Sequence, residues 1–201
     1  MTMFVSLVMP LTAYVAADTV TWGYDGRAVH LSKLRIIAAA RTVIVTRGDH
    51  AIQTAVADEA DKLSTFDAIT AAAPEIAESA YRRLPQRRGR VEGERDAYEV
   101  LIVGHSDRIG RMHGTFLSGN AEGSSRQEMP PTNSGLAPWS REVLGPKPVE
   151  SLCQPGAITA AARRQAAWLR SLYPGVQIGG DLVLATITPH SVTVETIARD
   201  I

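Results

Sequence analysis

The chain has a single cysteine, Cys153, in 201 residues, so no disulfide framework can form within it and a reducing compartment is expected. Charge of one sign is not in excess: 21 basic residues stand against 21 acidic ones, which leaves no electrostatic footprint for nucleic acid or an anionic membrane. Aromatic residues make up only 5%, so Ala, Val, Leu and Ile must build the core, as suits packed layers of helix and sheet. No apolar run approaches the ~20 residues that span a bilayer. These shortages predict a cytoplasmic protein with no membrane and no nucleic-acid partner. The length suits one domain, 1–201, with a sizeable core.

What is present begins with "MTMFVSLVMPLTAYVAADT", in which the first charge is Asp18. Val15-Ala16-Ala17 has the small residues of a signal cleavage site, but the first basic residue is Arg27, so a charged n-region is missing. Ser6, Pro10 and Thr12 also interrupt the run. Two strands, 3–8 and 11–17, turning at Met9-Pro10, describe it better.

Further strands are expected over 28–37 and 42–46 (TVIVT). From Ala51 to about Leu84 the pattern turns helical, with Ile52, Val56, Ala60 and Leu63 at helical spacing and a second helix beginning at Pro74. A charged loop, "PQRRGRVEGERD", leads to a hairpin of 97–103 and 111–117 that turns through "GHSDRIG". Residues 118–156, rich in Gly, Ser, Pro and Asn, read as a long irregular segment. A helix follows, with Ile158, Ala162, Ala166, Leu169 and Leu172 on one side and a stop at Pro174-Gly175. The final strands lie in "DLVLATITPHSVTVETI". Helices layered on two stacked antiparallel sheets are the expected architecture, α+β in class.

Removal of Met1 would make Thr2 the N-terminal residue. An N-terminal threonine carries nucleophile and base together: its hydroxyl attacks, and its own amine, with a pKa near 8, accepts the proton. If Met1 stays, that amine is locked in a peptide bond and the mechanism cannot run. Asp18 follows Thr2 by 16 residues, at the end of the second strand. Lys33 follows 15 further on in "HLSKLRII", and Gly48 another 15 beyond, just past "TVIVT".

In this register the sequence resembles the proteasome β-subunits and the HslV peptidases, N-terminal nucleophile hydrolases. The carrying segments are "TMFVSLVMPLTAYVAADT", "SKLRII" and "TVIVTRGDHAIQTAVADEAD" in that order, and "VQIGGDLVLATIT" near the end. The resemblance implies a four-layer αββα sandwich and a threonine-type peptidase or amide hydrolase working through an acyl-enzyme ester. It implies Thr2 as nucleophile and base, Lys33 as the cation favouring its deprotonated oxygen, and Asp18 as the partner that keeps Lys33 charged. The Gly48 N–H would face the oxyanion. It further implies a homo-oligomeric ring or helical stack, a peptide or unfolded-protein substrate, and an unfoldase ATPase as a further partner. The Ala-rich helices of 51–84 are candidate packing surfaces for such an assembly, although apolar helix faces usually mean ordinary core. No cofactor is required; a monovalent cation such as sodium would be held by the carbonyls of Gly180, Val183 and Thr186.

The chain departs from the family at several points. Thr46-Arg47-Gly48-Asp49 puts a cation where the family has small residues. Gly175 and Ile178 replace an Asp and a Ser of the proteasome β-subunits. The family's GSG turn is not identifiable, which leaves Ser134 and Ser140 as candidates for its serine. Two other readings stand beside the threonine one. A non-catalytic assembly subunit of the same fold is the first. The second is a serine hydrolase using Ser106 in "GHSDRIG" with Asp181 and His190, although Arg108 occupies the place of the elbow's second glycine. The five histidines show no metal-ligand spacing.

Overall fold

A computed structural model of the chain describes residues 2–22, 27–48, 50–83, 97–120, 123–129, 134–137, 141–145, 153–174 and 178–201. The apolar runs FVSLV, TVIVT and VLIV form strands with both faces covered. In order they are β1 (Phe4–Val8), β2 (Ala13–Asp18), β3 (Val20–Trp22), β4 (Ala28–His30), β5 (Leu34–Ile37) and β6 (Thr42–Arg47). Helices α1 (His50–Ala60) and α2 (Phe66–Arg83) come next, then β7 (Ala97–Ser106), β8 (Arg111–Asn120), β9 (Gly123–Met129) and β10 (Ser134–Ala137). A short α3 (Arg141–Leu144), the long α4 (Pro155–Leu172), β11 (Leu182–Ile187) and β12 (Val192–Ala198) complete the chain. Two five-stranded antiparallel sheets result, ordered β10-β1-β2-β11-β12 and β5-β6-β7-β8-β9, with β3 and β4 pairing separately.

Three buried clusters separate four layers, and the two-residue period of each strand assigns its side chains to them. Val5, Leu7, Ala16, Leu182 and Leu184 face α4 through Ile158, Ala161, Ala162, Ala166 and Leu169. Phe4, Val8, Val15, Ala17 and Ala185 pack between the sheets against Val43, Val45, Leu101 and Val103. Ile44, Val100, Ile102 and Leu117 face α1 and α2 through Ile52, Val56, Phe66, Ile69 and Ala73. Each fully buried Val, Ile or Leu contributes ~1.5–3 kcal/mol. The expected αββα sandwich is the structure.

The apolar faces of α1 and α2 are occupied by their own sheet, the ordinary-core reading of these helices. Leu172, expected on the buried side of α4, is instead 50% exposed at the helix end. The stretch 28–37 divides between two sheets. Leu31 N–H donates to Thr19 O, Ser32 Oγ donates to Leu34 O, and Lys33 turns its side chain inward, which ends β4 before β5 begins. The segment 118–156 is not one irregular loop either, since it carries the end of β8 together with β9, β10 and α3.

Pro74 lies inside α2 rather than starting a helix. Proline has no N–H, so the carbonyl four residues back, that of Thr70, loses its helical donor. Arg126 of β9 supplies one, with Nη1 at 2.9 Å from Thr70 O. Arg126 also holds Glu128 through Nε at 2.6 Å, and Glu128 accepts from Thr115 and meets His113. Among the described residues no helix is long and apolar enough to cross a membrane.

Candidate active site

Register brings the sequence candidates together. Phe4 pairs with Ala17, so Met3 lies level with Asp18, and Leu182 pairs with Asp18 from the other side. The Asp18 carboxylate is fully buried and accepts three donors. Met3 N–H approaches Oδ1 at 3.0 Å; Lys33 Nζ and Gly179 N–H approach Oδ2 at 2.8 and 3.1 Å. One carboxylate therefore holds both the peptide that follows Thr2 and the Lys33 ammonium. Thr2 itself is buried, at 8% exposure.

Leu34 pairs with Val45, which puts Lys33 level with Thr46 and Gly48 just beyond the end of β6. Gln53 of α1 donates to Lys33 O at 2.5 Å and fixes its main chain. Burial pushes the Lys33 pKa below its ordinary 10.5, while the charge and hydrogen bond of Asp18 pull it partly back. Gly48 is exposed with φ +120°, a conformation that suits glycine. Arg47, the cation that departs from the family, is turned to Glu99 on β7, Nε to Oε2 3.0 Å. The end of the sandwich thus offers a buried ammonium on the carboxylate that also binds the amide after residue 2, and a glycine turn on the neighbouring sheet. Such a cation favours the deprotonated form of a nearby hydroxyl.

Other candidates do not assemble. Val183 and Thr186 are three residues apart on β11, about 10 Å, and β11 is paired on both edges, by β2 and β12. Gly180 O already accepts the Ile201 N–H. Oxygens bound to one cation lie within about 5 Å of one another, so these three carbonyls do not make one site. Ser106 ends β7 at the opposite end of its sheet from Gly48, where Oγ donates to Asp67 at 2.6 Å in the expected hairpin turn. Asp181 and His190 flank β11 at its two ends, about 20 Å apart, so no Ser–His–Asp arrangement forms. Ser134 pairs with Leu7, about 17 Å up the strand from Thr2, and is not part of the site. Met1, Asp49, Ser140 and Gly175 lie outside the described residues.

Sequence reasoning missed the main-chain donors Met3 and Gly179, and it missed Gln53 and Arg170, which hold backbone at the site. The pair Gly179-Gly180 ahead of a strand was a usable signal. Both glycines have positive φ, and a Cβ on Gly179 would run into Arg170 Nη2 and Ile201 O.

The four αββα layers are those of the proteasome-like fold. Among solved structures the chain is similar to an Anbu mutant from Hyphomicrobium sp. strain MC1. The TM-score is 0.62 at 16% identity, over 98% of this chain and 88% of that one. Anbu is proteasome-related but distinct from HslV, so the placement with the proteasome β-subunit and HslV family is corrected and the proteasome-like fold stands. No protein-family model and no curated protein matches the chain.

Proposed function

We propose that the chain is a threonine-type amide hydrolase acting on peptide or unfolded polypeptide, with Thr2 as nucleophile once Met1 is removed. The observation that supports this best is the Asp18 carboxylate joining the Met3 N–H to the Lys33 ammonium. The Thr2 Oγ attacks the scissile carbonyl carbon and its proton passes to the Thr2 amine. The Gly48 N–H receives the oxyanion. As the C–N bond breaks, the proton moves to the leaving nitrogen, which leaves an ester on Thr2. Water then attacks the ester, releasing the acid and restoring the hydroxyl. Assembly of identical copies would enclose the site, and we include a homo-oligomer in the proposal.

The test pairs an intact mass with turnover of fluorogenic peptide amides. A mass lacking Met1, and loss of hydrolysis in Thr2→Ala at unchanged circular dichroism, are expected. Full activity in Thr2→Ala, or an active protein that retains Met1, would overturn the proposal.

A further inference from the structure

The peptide unit between Ile178 and Gly179 is gripped on both sides. Arg170, in the last turn of α4, donates Nε and Nη2 to Ile178 O at 3.2 and 2.7 Å. The N–H of the same unit, that of Gly179, donates to Asp18 Oδ2 at 3.1 Å. In a planar trans peptide the C=O and N–H point in opposite directions, so fixing the carbonyl aims the N–H. The guanidinium also donates to Ile201 O, and the Ile201 N–H donates to Gly180 O at 2.9 Å, which ties down the following residue. Gly179 O accepts from Thr19 and Val20 N–H, the residues directly after Asp18. A planar fork of donors is suited to this double grip; an ammonium offers a single point.

We propose that Arg170 is a positioning residue of the site, acting through the Ile178–Gly179 peptide on Asp18 and through Asp18 on the Lys33 ammonium. The part of this that concerns turnover rests on the threonine-hydrolase reading; the part that concerns Lys33 does not. Gly179 N–H and Lys33 Nζ share Oδ2, so they compete for the charge of one oxygen. Releasing the amide leaves that charge to the ammonium and stabilises its protonated form.

The chain has three lysines, Lys33, Lys62 and Lys147, so carbon-13 labelling at lysine Cε resolves Lys33 by NMR. Arg170→Met is expected to move the Lys33 titration upward and leave Lys62 unmoved. In an Asp18→Asn background the same substitution should add no further shift, because its route to Lys33 is gone. An unmoved Lys33 in Arg170→Met accompanied by a lower Tm makes Arg170 a structural tie and overturns the proposal. An equal shift in the Asp18→Asn background overturns it as well. If Arg170→Met does not fold, Arg170→Lys carries the same measurement, with a smaller shift in the same direction expected. In turnover, Arg170→Met should lower kcat by about 10- to 100-fold at unchanged KM. A wild-type protein without amide hydrolysis defeats the threonine reading, and the NMR titration still decides the role of Arg170.

Discussion

Asp18 and Lys33 lie 2.8 Å apart with 0% and 7% of their side chains exposed, so each is the counter-charge that makes the burial of the other tolerable. Removing one member leaves a buried charge alone, which typically costs ~3–5 kcal/mol. The pair also carries the proposed chemistry. A cation about 4 Å from a developing alkoxide, at an effective dielectric of ~20, is worth ~4 kcal/mol, near a thousandfold in rate. Lys33→Met should therefore lose both stability and turnover. The double variant Lys33→Met, Asp18→Asn should regain stability but not activity, compared where circular dichroism shows each variant folded. Normal turnover in folded Lys33→Met would reduce Lys33 to a tie between strands.

The depressed Lys33 pKa gives this site a pH signature. Burial lowers it from 10.5, and Asp18 opposes that shift. The alkaline limb of kcat should accordingly fall below 10.5, and Asp18→Asn should move it further down. For stability the sign is fixed by linkage: the unfolded chain holds this proton more tightly. Lys33 thus costs stability below its folded value, and the cost disappears as pH rises toward 10.5. Urea titrations between neutral and alkaline pH, with Lys33→Met as the reference, measure the slope.

Glu128 acts at the other end of the pH scale. Burial pushes its pKa up, but hydrogen bonds from His113, Arg126 and Thr115, with the Arg126 charge, outweigh burial and hold it below 4.5. A carboxylate depressed in the folded state lends stability above its unfolded value and loses it as pH falls through the folded one. Its side chain is 47% exposed, so the contribution is that of a surface pair, about 0.2–1 kcal/mol. Glu128→Gln should flatten the acid side of the stability curve in denaturant melts taken across that range.

Arg126 and Pro74 should be coupled although they never exchange a hydrogen bond. Arg126→Met leaves the Thr70 carbonyl in α2 without a donor, at a cost of ~1–3 kcal/mol. Pro74→Ala restores the missing N–H, and the same Arg126→Met change should then cost measurably less. A double-mutant cycle in urea gives the difference; equal costs in both backgrounds would sink the idea.

The layers were legible because strands buried on two faces leave consecutive apolar residues, as in TVIVT, and helices leave a stripe, as in Ile52, Val56 and Ala60. The Asp18–Lys33 pair was legible because the two ionisable side chains sit at strand ends and strand register sets their spacing. Gly180, Val183 and Thr186 misled because carbonyls leave no trace in residue type, and the β11 ladder fixes their direction. Pro74 misled because its usual meaning, a helix start, was overridden by a guanidinium 52 residues away in the chain. Arg170 gave no signal: a basic residue near a helix end normally meets solvent, and only the tertiary path of 178–180 turns it inward.

Strand β1 is hydrogen-bonded along both edges, by β2 and β10, and covered on both faces. Chain ends usually fray, and a group carried on one would have to be ordered anew each time it met a substrate. Here the main chain from Met3 onward is immobilised when the sandwich folds, so the ordering entropy of the residue before it is largely spent before any substrate arrives. Displacing Thr2 along its strand would require β1 to slide past two ladders and two packed layers at once. The aim of the proposed nucleophile is in this sense a collective property, fixed by core side chains such as Phe4 and Ile158.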